Sequence, residues 1–336
     1  MLPEELAAEF KELGLPSFRA KQVFGWLSRG VSDFADMTNL PRDLRIALAE
    51  RYEIPALTML RKQVSAQDGT VKFLWRLPDG ESVETVLMRY KHGNSVCIST
   101  QVGCRMGCAF CASTLGGKIR DLRASEILDE VIRTGIEAQA EISNIVLMGI
   151  GEPLDNYDNV IRFLRLVNHP EGQNIGMRHI SLSTCGLVEG IDRLAQLNLQ
   201  LTLSVSLHAP DDETRSKLMP INRAHGVDAL YDACERYFQK TGRRISFEYA
   251  MVRDMNDSPR HASMLADRLR GTGAHVNLIR LNYVSERGLL PSTEERVREF
   301  AKRLSDAGVT VTVRRRLGSD IDAACGQLRR GQMRKP

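Results

Sequence analysis

Long apolar runs are absent from this sequence of 336 residues. No stretch approaches the roughly 20 apolar residues that a membrane-spanning helix needs, so we expect no membrane association. With 43% hydrophobic and 26% charged residues and no internal repeat, the collagenous, coiled-coil and largely disordered classes are also excluded. The N-terminal stretch MLPEELAAEF lacks the basic region of a secretory signal, so we expect a cytoplasmic protein.

A second C-x2-C pair is also missing, although the chain has seven cysteines. Three of them lie close together in residues 104–111. In a cytosolic chain such crowding indicates metal or redox chemistry rather than a disulfide framework.

The net charge is only +4, but it is unevenly distributed. Residues 309–336 hold seven Lys or Arg and two Asp, a net of +5, so the rest of the chain sums to −1 (4 − 5). A basic end on a near-neutral body suits a polyanionic partner, and it equally fits a solvated tail.

The first 92 residues predict a small accessory region of helices followed by strands. Apolar residues recur first at helical spacing and then at strand spacing, and Gln67-Asp68-Gly69-Thr70 is a hairpin-type turn. The aromatic residues of the helical part are expected in its core. The predicted helices cover residues 3–13, 17–29 and 40–52, and an antiparallel meander covers 57–90.

Strands and helices alternate over residues 93–336, which we interpret as one α/β domain. Regular alternation favours a parallel sheet with right-handed crossovers, and six βα units predict a partial TIM-like barrel, with a doubly wound sheet as the alternative. Ser292 and Glu295 predict a capping box at the start of the last helix. The predicted strands are 96–100, 144–148, 179–183, 201–207, 245–251, 276–281 and 309–313.

The most specific signal is a C-x3-C-x2-C array, in which Cys104, Cys108 and Cys111 follow the first of these strands. A structural zinc site normally has four ligands in two pairs, although a remote His or Cys could complete one here. Three thiolates fit a four-iron cluster whose fourth iron accepts an exogenous ligand. The spacing resembles that of the radical S-adenosylmethionine (SAM) superfamily, where SAM is that ligand and the source of a 5′-deoxyadenosyl radical.

Polar and glycine residues stand at the carboxyl ends of the following strands, where α/β folds place ligands. Any one of these sets is a weak signal, whereas four in succession behind a cysteine loop are a strong one. They are Gly149-Ile150-Gly151-Glu152, Ser183-Thr184-Cys185-Gly186, Ser206-Leu207-His208 and Asn282.

Several longer segments resemble the RlmN/Cfr family of radical methyltransferases over residues 80–330. These segments are CISTQVGC, the cysteine loop, GEPLDN, SLHAP, ISFEYAM and DIDAACGQL. The resemblance implies a barrel of the radical SAM type, one [4Fe-4S] cluster bound by Cys104, Cys108 and Cys111, and two SAM molecules per turnover.

The resemblance also implies a mechanism with a methyl carrier. Cys325 would take a methyl group from one SAM, and a radical from the second would remove a hydrogen from that methyl. The methylene radical would add to an adenine carbon and tether the RNA to Cys325. Cys97 would then release the product by forming a disulfide with Cys325. Glu84 would accept the ring proton, although it could equally be a solvated strand carboxylate and Cys97 could take the proton instead.

The resemblance further implies the SAM-binding residues and the partners. The RNA would be 23S rRNA, at the peptidyl-transferase-loop adenine, together with adenine 37 of some tRNAs. A flavodoxin or ferredoxin would supply electrons, and a monomer is the default. Cys185 and Cys234 match nothing in the mechanism and are expected to be packed thiols. The residues implied for SAM are Gly151, Glu152, Ser183, Ser206, Leu207, His208 and Asn282.

The details of the motifs favour methylation at carbon 2 over the runner-up, carbon 8. Arg280 departs from the proline that many relatives have there, and arginine resembles the carbon-8 branch. The GEP sequence at Gly151 and the valine at position 102 resemble the carbon-2 branch instead.

Two other classes remain open on these residues: a non-catalytic iron–sulfur or zinc RNA-binding protein, and a radical enzyme acting on a small molecule. The first gives no reason for Cys97 and Cys325 to occur together, and anaerobic SAM cleavage would exclude it. The second does not require Cys325, so a Cys325→Ala variant separates it from the carrier mechanism.

Overall fold

Three short helices open the chain in the computed structural model, which describes residues 1–321. The prediction of three helices is confirmed, each within two residues of its expected ends. Phe24 is buried in the main core as expected, but Phe18 is 53% exposed, so the aromatics of this region are not all core. The helices are α1 (Pro3–Glu12), α2 (Ser17–Ser28) and α3 (Arg42–Arg51).

A single sheet of ten strands runs through the described residues, in the order β1-β2-β3-β4-β7-β8-β9-β10-β11-β12. The first four strands are antiparallel and form the predicted meander, and those from β4 onwards are parallel. The strands are β1 (Thr58–Val64), β2 (Val71–Arg76), β3 (Ser82–Tyr90), β4 (Gly93–Cys97), β7 (Ile142–Leu147), β8 (Ile180–Thr184), β9 (Thr202–Ser206), β10 (Ser246–Met251), β11 (His275–Arg280) and β12 (Thr310–Val313).

Six crossovers connect the seven parallel strands, so the predicted α/β fold with six βα units is confirmed. In α5 one apolar stripe is buried, formed by Val160, Phe163, Leu164 and Val167 at helical spacing. The crossover helices are α4 (Ala124–Ala138), α5 (Tyr157–Asn168), α6 (Val188–Gln196), α7 (Asp212–Leu218), α8 (Val227–Thr241), α9 (Pro259–Leu269) and α10 (Glu294–Asp306).

The first parallel strand, β4, covers Gly93–Cys97, so the predicted strand at residues 96–100 is three residues too late. β4 ends at Cys97, because the N–H groups of Thr100 and Gln101 both turn to the carbonyl of Ile150. The chain then enters a separate two-stranded sheet, which the sequence did not predict, formed by β5 (Gln101–Gly103) and β6 (Lys118–Asp121). This small sheet forms the base of the cysteine loop.

The predicted capping box at Ser292 is wrong by one residue. Thr293 is the N-cap of α10, where its hydroxyl accepts from the N–H of Arg296, and the Ser292 hydroxyl donates to Asp257 instead. Ser258 is the N-cap of α9, where its hydroxyl accepts from the N–H of His261. Within residues 1–321, no helix combines the length and apolarity that a membrane crossing requires.

Candidate active site

The three cysteines of the C-x3-C-x2-C array lie on the loop between β5 and β6. Gly103, just before Cys104, has φ +78, and a Cβ there would lie 1.9 Å from the carbonyl oxygen of Gly117. Only glycine fits this close approach, which lets the N–H of Cys104 donate to that same carbonyl at 3.0 Å. All three thiols line one cavity of about 270 Å³, which we name the cluster cavity.

Electrostatics in the cluster cavity favour a positively charged guest. Burial raises the pKa of Cys104 to about 12, and the neighbouring Cys111 acts in the same direction. Burial and the two neighbouring thiols raise the pKa of Cys108 as well. Binding a cationic group would replace the protons of Cys104 and Cys108 and remove the mutual repulsion of the thiolates, so the donor set fits a three-cysteine iron–sulfur cluster. Within residues 1–321, no group of three His, Cys, Asp or Glu could hold a single metal ion.

The floor of the cluster cavity is the turn after β7, which contains Gly151 and Glu152. Gly151 has φ +115, and a Cβ there would lie 2.7 Å from Cβ of Gln101, so this turn requires glycine. The Glu152 carboxylate is buried and accepts from the N–H groups of Leu154 (3.0 Å) and Cys185 (2.7 Å). Burial raises the pKa of Glu152, and these two hydrogen bonds oppose the shift.

A fully buried arginine, Arg215 of α7, holds the ends of β8 and β9 together. Its guanidinium donates to the carbonyls of Cys185 (2.7 Å), Ser206 (3.2 Å) and Leu207 (3.1 Å) and to the side chain of Asn222 (2.8 Å). Burial lowers the pKa of Arg215. The peptide of Cys185 therefore lies between two buried charges, with Glu152 at its N–H and Arg215 at its carbonyl.

His208 follows β9 in a left-handed conformation, with φ +58. Its Nδ1 accepts from the N–H of Ala250 at 2.9 Å, so the ring proton is on Nε2. Burial, and next the positive charge of Arg215, lower the pKa of His208 to about 3. The neutral ring lies edge-on to Phe110 of the cysteine loop, with centroids 4.8 Å apart.

A second cavity of about 460 Å³, which we name the thiol cavity, is lined by Glu84 of β3 and Cys97 of β4. Lys72 of β2 contacts the Glu84 carboxylate at 2.9 Å, and both side chains are almost completely buried. Burial raises the pKa of the Cys97 thiol, and the positive charge of Arg314 opposes that shift. The opposite wall is the chain after β12, residues 314–319 and 321.

The two cavities share one wall. Met148 and Gly149 after β7, Ile279 and Asn282 at the end of β11, and Arg314 after β12 line both of them. Gly149 is packed so closely that a Cβ there would lie 2.4 Å from the carbonyl oxygen of Ile98. A group bound in the cluster cavity would therefore lie directly beside the thiol cavity.

The structure brings most of the predicted site residues together. Glu84 and Cys97 line the thiol cavity, and Cys325 lies outside the described residues. The Leu207 side chain is fully buried and lines neither of these cavities; its carbonyl is held by Arg215. Cys234 is a packed thiol as expected, while Cys185 is buried but also lines the cluster cavity. The predicted residues that line the cluster cavity are Cys104, Cys108, Cys111, Gly151, Glu152, Ser183, Ser206, His208 and Asn282.

Three charged residues in or next to these cavities escaped the sequence reasoning: Lys72, Arg215 and Glu248. Lys72 and Glu248 each interrupt an otherwise apolar strand, VKFLW and ISFEYAM, and a charge inside a buried strand is a usable signal. Burial raises the pKa of Glu248, and Arg314 opposes the shift. Arg215, on a polar helix, gives no comparable signal.

Comparisons with known proteins agree with this geometry. Residues 98–266 match the radical SAM superfamily, and residues 1–54 match the ribosomal RNA large subunit methyltransferase N-terminal domain. A probable dual-specificity RNA methyltransferase RlmN from Clostridium botulinum (strain Alaska E43 / Type E3) is 50% identical, covering 98% of this chain and 95% of its own length. Another protein of that name, from Thermoanaerobacter sp. (strain X514), is 48% identical over 100% of this chain and 98% of its own.

One solved structure covers nearly the whole fold. The crystal structure of a radical SAM methyltransferase from Sphaerobacter thermophilus superimposes with a TM-score of 0.92 and 44% identity, covering 97% of each chain. Similarity at this level extends across the accessory helices, the sheet and both cavities. The chain therefore belongs to the RlmN family of radical SAM RNA methyltransferases.

Proposed function

We propose that this enzyme methylates carbon 2 of an adenine, in the peptidyl-transferase loop of 23S rRNA and at position 37 of some tRNAs, with Cys325 as methyl carrier. One observation carries the proposal. Glu84 and Cys97 line a cavity directly beside the cluster cavity, and the chain that leads to Cys325 forms its opposite wall. This supports the proposal because the proposed resolving thiol and proton acceptor lie next to the proposed source of the radical, and the described chain leading towards the carrier passes the same cavity.

The cluster cavity is proposed to hold one [4Fe-4S] cluster on Cys104, Cys108 and Cys111, with SAM against it. The cluster and SAM together supply a carbon radical, and the RNA reaction uses two SAM molecules per turnover. Gly151, Glu152, Ser183, Ser206, His208 and Asn282 would bind SAM; the neutral His208 offers its Nε2–H, and Glu152 offers the lone pairs left by its two backbone partners. Leu207 would contribute through its backbone.

In the thiol cavity, Cys97 is proposed to form the disulfide with Cys325 that releases the product. Disulfide formation oxidises both sulfurs, so an external reductant must restore the two thiols before the next turnover. The Glu84 carboxylate is proposed as the acceptor of the adenine ring proton, held in place by Lys72 at 2.9 Å. Cys97 is the alternative acceptor, but burial raises its pKa and so keeps it protonated.

RNA is proposed to enter over the thiol cavity, where Arg314, Arg315 and Arg316 line the wall and can contact phosphates. The target adenine must be flipped out of folded RNA to reach this depth. We further propose a cytoplasmic monomer that takes electrons from a flavodoxin or ferredoxin. Residues 1–92 would be the accessory region and 93–336 the methyltransferase domain, in line with the two family matches.

The carbon-8 alternative rests on Arg280, which lines the thiol cavity. Its guanidinium is bound by Glu294 at 2.6 and 2.7 Å and donates to the carbonyl of Arg314, so it is already engaged on the outer side of that wall. Nucleoside analysis of the RNA product by mass spectrometry against 2-methyladenosine and 8-methyladenosine standards separates the two outcomes.

The test is to reconstitute the cluster without oxygen, add SAM, and weigh the proteolytic peptide that contains Cys325. We expect a gain of one methyl group, retained in a Cys234→Ala control and absent in Cys325→Ala, which should also lose all RNA methylation. Cys234 is a suitable control because it is a packed thiol that lines neither of these cavities. An unmodified peptide with the cluster intact and SAM bound would refute the carrier role.

A further inference from the structure

The turn between β1 and β2 contacts the chain after β12 across 250 residues of sequence. The Asp320 carboxylate accepts from the Ser65 hydroxyl at 2.6 Å and from the N–H of Ala66 at 2.8 Å. In return, the N–H of Gly318 donates to Asp68 at 2.8 Å. The Ser319 hydroxyl donates to Gln67 at 2.8 Å. Four hydrogen bonds thus join residues 65–68, which we name the hairpin clamp, to residues 318–320.

The hairpin clamp is ordered by its own hydrogen bonds. The Ser65 hydroxyl accepts from the N–H groups of Gln67 and Asp68, both at 3.2 Å, and Asp68 accepts from the N–H of Thr70 at 2.9 Å. Gly69 completes the turn with φ +71. Hydrogen bonds hold the pKa of Asp68 below its usual value against the opposing effect of burial, and the Ser65 hydroxyl does the same for Asp320. Both acceptors are therefore ionised at neutral pH.

We propose that the hairpin clamp is a positioning device that anchors residues 318–320, from which the chain continues to Cys325, beside the thiol cavity. The inference rests on the proposed carrier role of Cys325, and it gives residues 65–68, far from Cys325 in sequence, a supporting role. Gln67, Asp68 and Asp320 would act as positioning residues that set how often Cys325 meets Cys97.

Chain length gives the expected size of the effect. Five residues separate Asp320 from Cys325, and they reach at most about 17 Å. Without the clamp, the nearest preceding anchor is Arg314, whose N–H donates to the carbonyl of Leu278 at 2.8 Å. The tether then has eleven residues and reaches about 37 Å. The effective concentration of a tethered group falls as about the 3/2 power of the tether length, so lengthening the tether from five residues to eleven would lower that of Cys325 at Cys97 roughly threefold.

The experiment equilibrates the full-length holoenzyme anaerobically with mixtures of reduced and oxidised glutathione. Mass spectrometry of the peptide linking Cys97 and Cys325 then gives the effective concentration of the two thiols, with oxidised glutathione accepting the two electrons. We expect roughly threefold lower values in the Gln67→Ala/Asp68→Ala/Asp320→Ala triple variant, which removes all four hydrogen bonds. We expect the thermal midpoint of unfolding and the rate of SAM cleavage to be unchanged. A merely structural role of the clamp would instead lower the thermal midpoint.

Asp232→Ala is the matched control, because Asp232 is an exposed aspartate on α8 that lines neither of these cavities. An effective concentration in the triple variant equal to that of the unaltered enzyme would overturn the clamp. Failure of the proposed function looks different: Cys325→Ala would then retain RNA methylation, whatever the glutathione equilibrium shows.

Discussion

The cluster cavity and the thiol cavity share a wall, yet they are built in different ways. The cluster cavity is formed by the loops that leave the parallel strands, held by buried charges such as Glu152 and Arg215 that bind backbone groups. The thiol cavity instead uses side chains from within antiparallel strands, and it is covered by chain from the far end of the sheet. The proposed radical site is thus framed by turns held through buried charges, whereas the proposed RNA site is covered by a segment attached through hydrogen bonds to the hairpin clamp.

Because the two cavities are built from different parts of the chain, we expect a substitution in one to leave the function of the other intact. Substitutions in the cluster cavity should stop radical formation but leave Cys97 and Cys325 able to form their disulfide. Damage to the thiol cavity should stop RNA methylation but leave SAM cleavage intact. The following changes test that separation, from the largest expected effect to the smallest.

Replacing one cluster ligand, as in Cys108→Ala, should abolish both SAM cleavage and RNA methylation. Two thiolates cannot retain a cluster that three hold, so iron content should fall with activity. Iron analysis and 5′-deoxyadenosine release measure this, while the glutathione equilibrium of Cys97 with Cys325 should stay unchanged. A variant that kept its iron and still cleaved SAM would show that Cys108 is not a ligand.

Glu84→Gln should lower the rate of RNA methylation by roughly 10²- to 10⁴-fold, the usual contribution of a general base. Glutamine keeps the shape and a hydrogen-bond acceptor but cannot take a proton. 5′-Deoxyadenosine release in the absence of RNA should be unaffected, because Glu84 does not line the cluster cavity. Methylation at the normal rate would contradict the proton-accepting role of Glu84.

Arg215→Lys should weaken SAM binding roughly tenfold, equal to about 1.4 kcal/mol. An ammonium cannot reproduce the planar donor set that binds three carbonyls and Asn222, so the ends of β8 and β9 would lose their common support. Equilibrium dialysis measures the affinity, and Arg236→Lys, in an exposed pair with Asp192, is the control. Equal affinities in the two variants would contradict the role of Arg215.

Glu130→Gln should raise the thermal midpoint at pH 8.5 by about 2–4 °C. Burial raises the pKa of Glu130 well above its usual value, and among residues 1–321 no group hydrogen-bonds its Oε1. The folded state therefore holds a proton that the unfolded state releases above its lower pKa, and the free energy of unfolding falls as pH rises. The variant lacks this dependence, so its advantage should vanish towards pH 4. The exposed Glu137→Gln should show no such trend.

The cluster cavity was predictable from sequence because α/β folds place ligands at the carboxyl ends of their parallel strands. Polar residues after consecutive parallel strands converge at one edge of the sheet, so Gly151, Ser183, Ser206 and Asn282 could be placed together without coordinates. Helix and strand positions followed the apolar periodicity closely. Where the prediction was wrong, as at residues 96–100 and Ser292, a tertiary hydrogen bond decided between locally equivalent choices.

The thiol cavity shows where such reasoning stops. Glu84 lies inside the antiparallel strand β3, and Cys97 lies at the end of the next strand, β4. They are brought together by the register that pairs Val86 with Cys97, which the position of a residue at a strand end does not predict. The Lys72 contact depends on a second register, between β2 and β3. The hairpin clamp joins segments at opposite ends of the chain, a contact that one sequence cannot reveal.

The position of β4 at the change from antiparallel to parallel pairing has a consequence for how the protein folds. β2, β3 and β4 are joined by short turns, whereas residues 98–141 separate β4 from its parallel partner β7. Contacts that are local in sequence cost less loop-closure entropy, so the meander should form first and present β4 as a template for the parallel half. In pulsed hydrogen exchange during refolding, we expect the amides of β3 to be protected before those of β8. The resolving thiol would then be in place before the radical site exists.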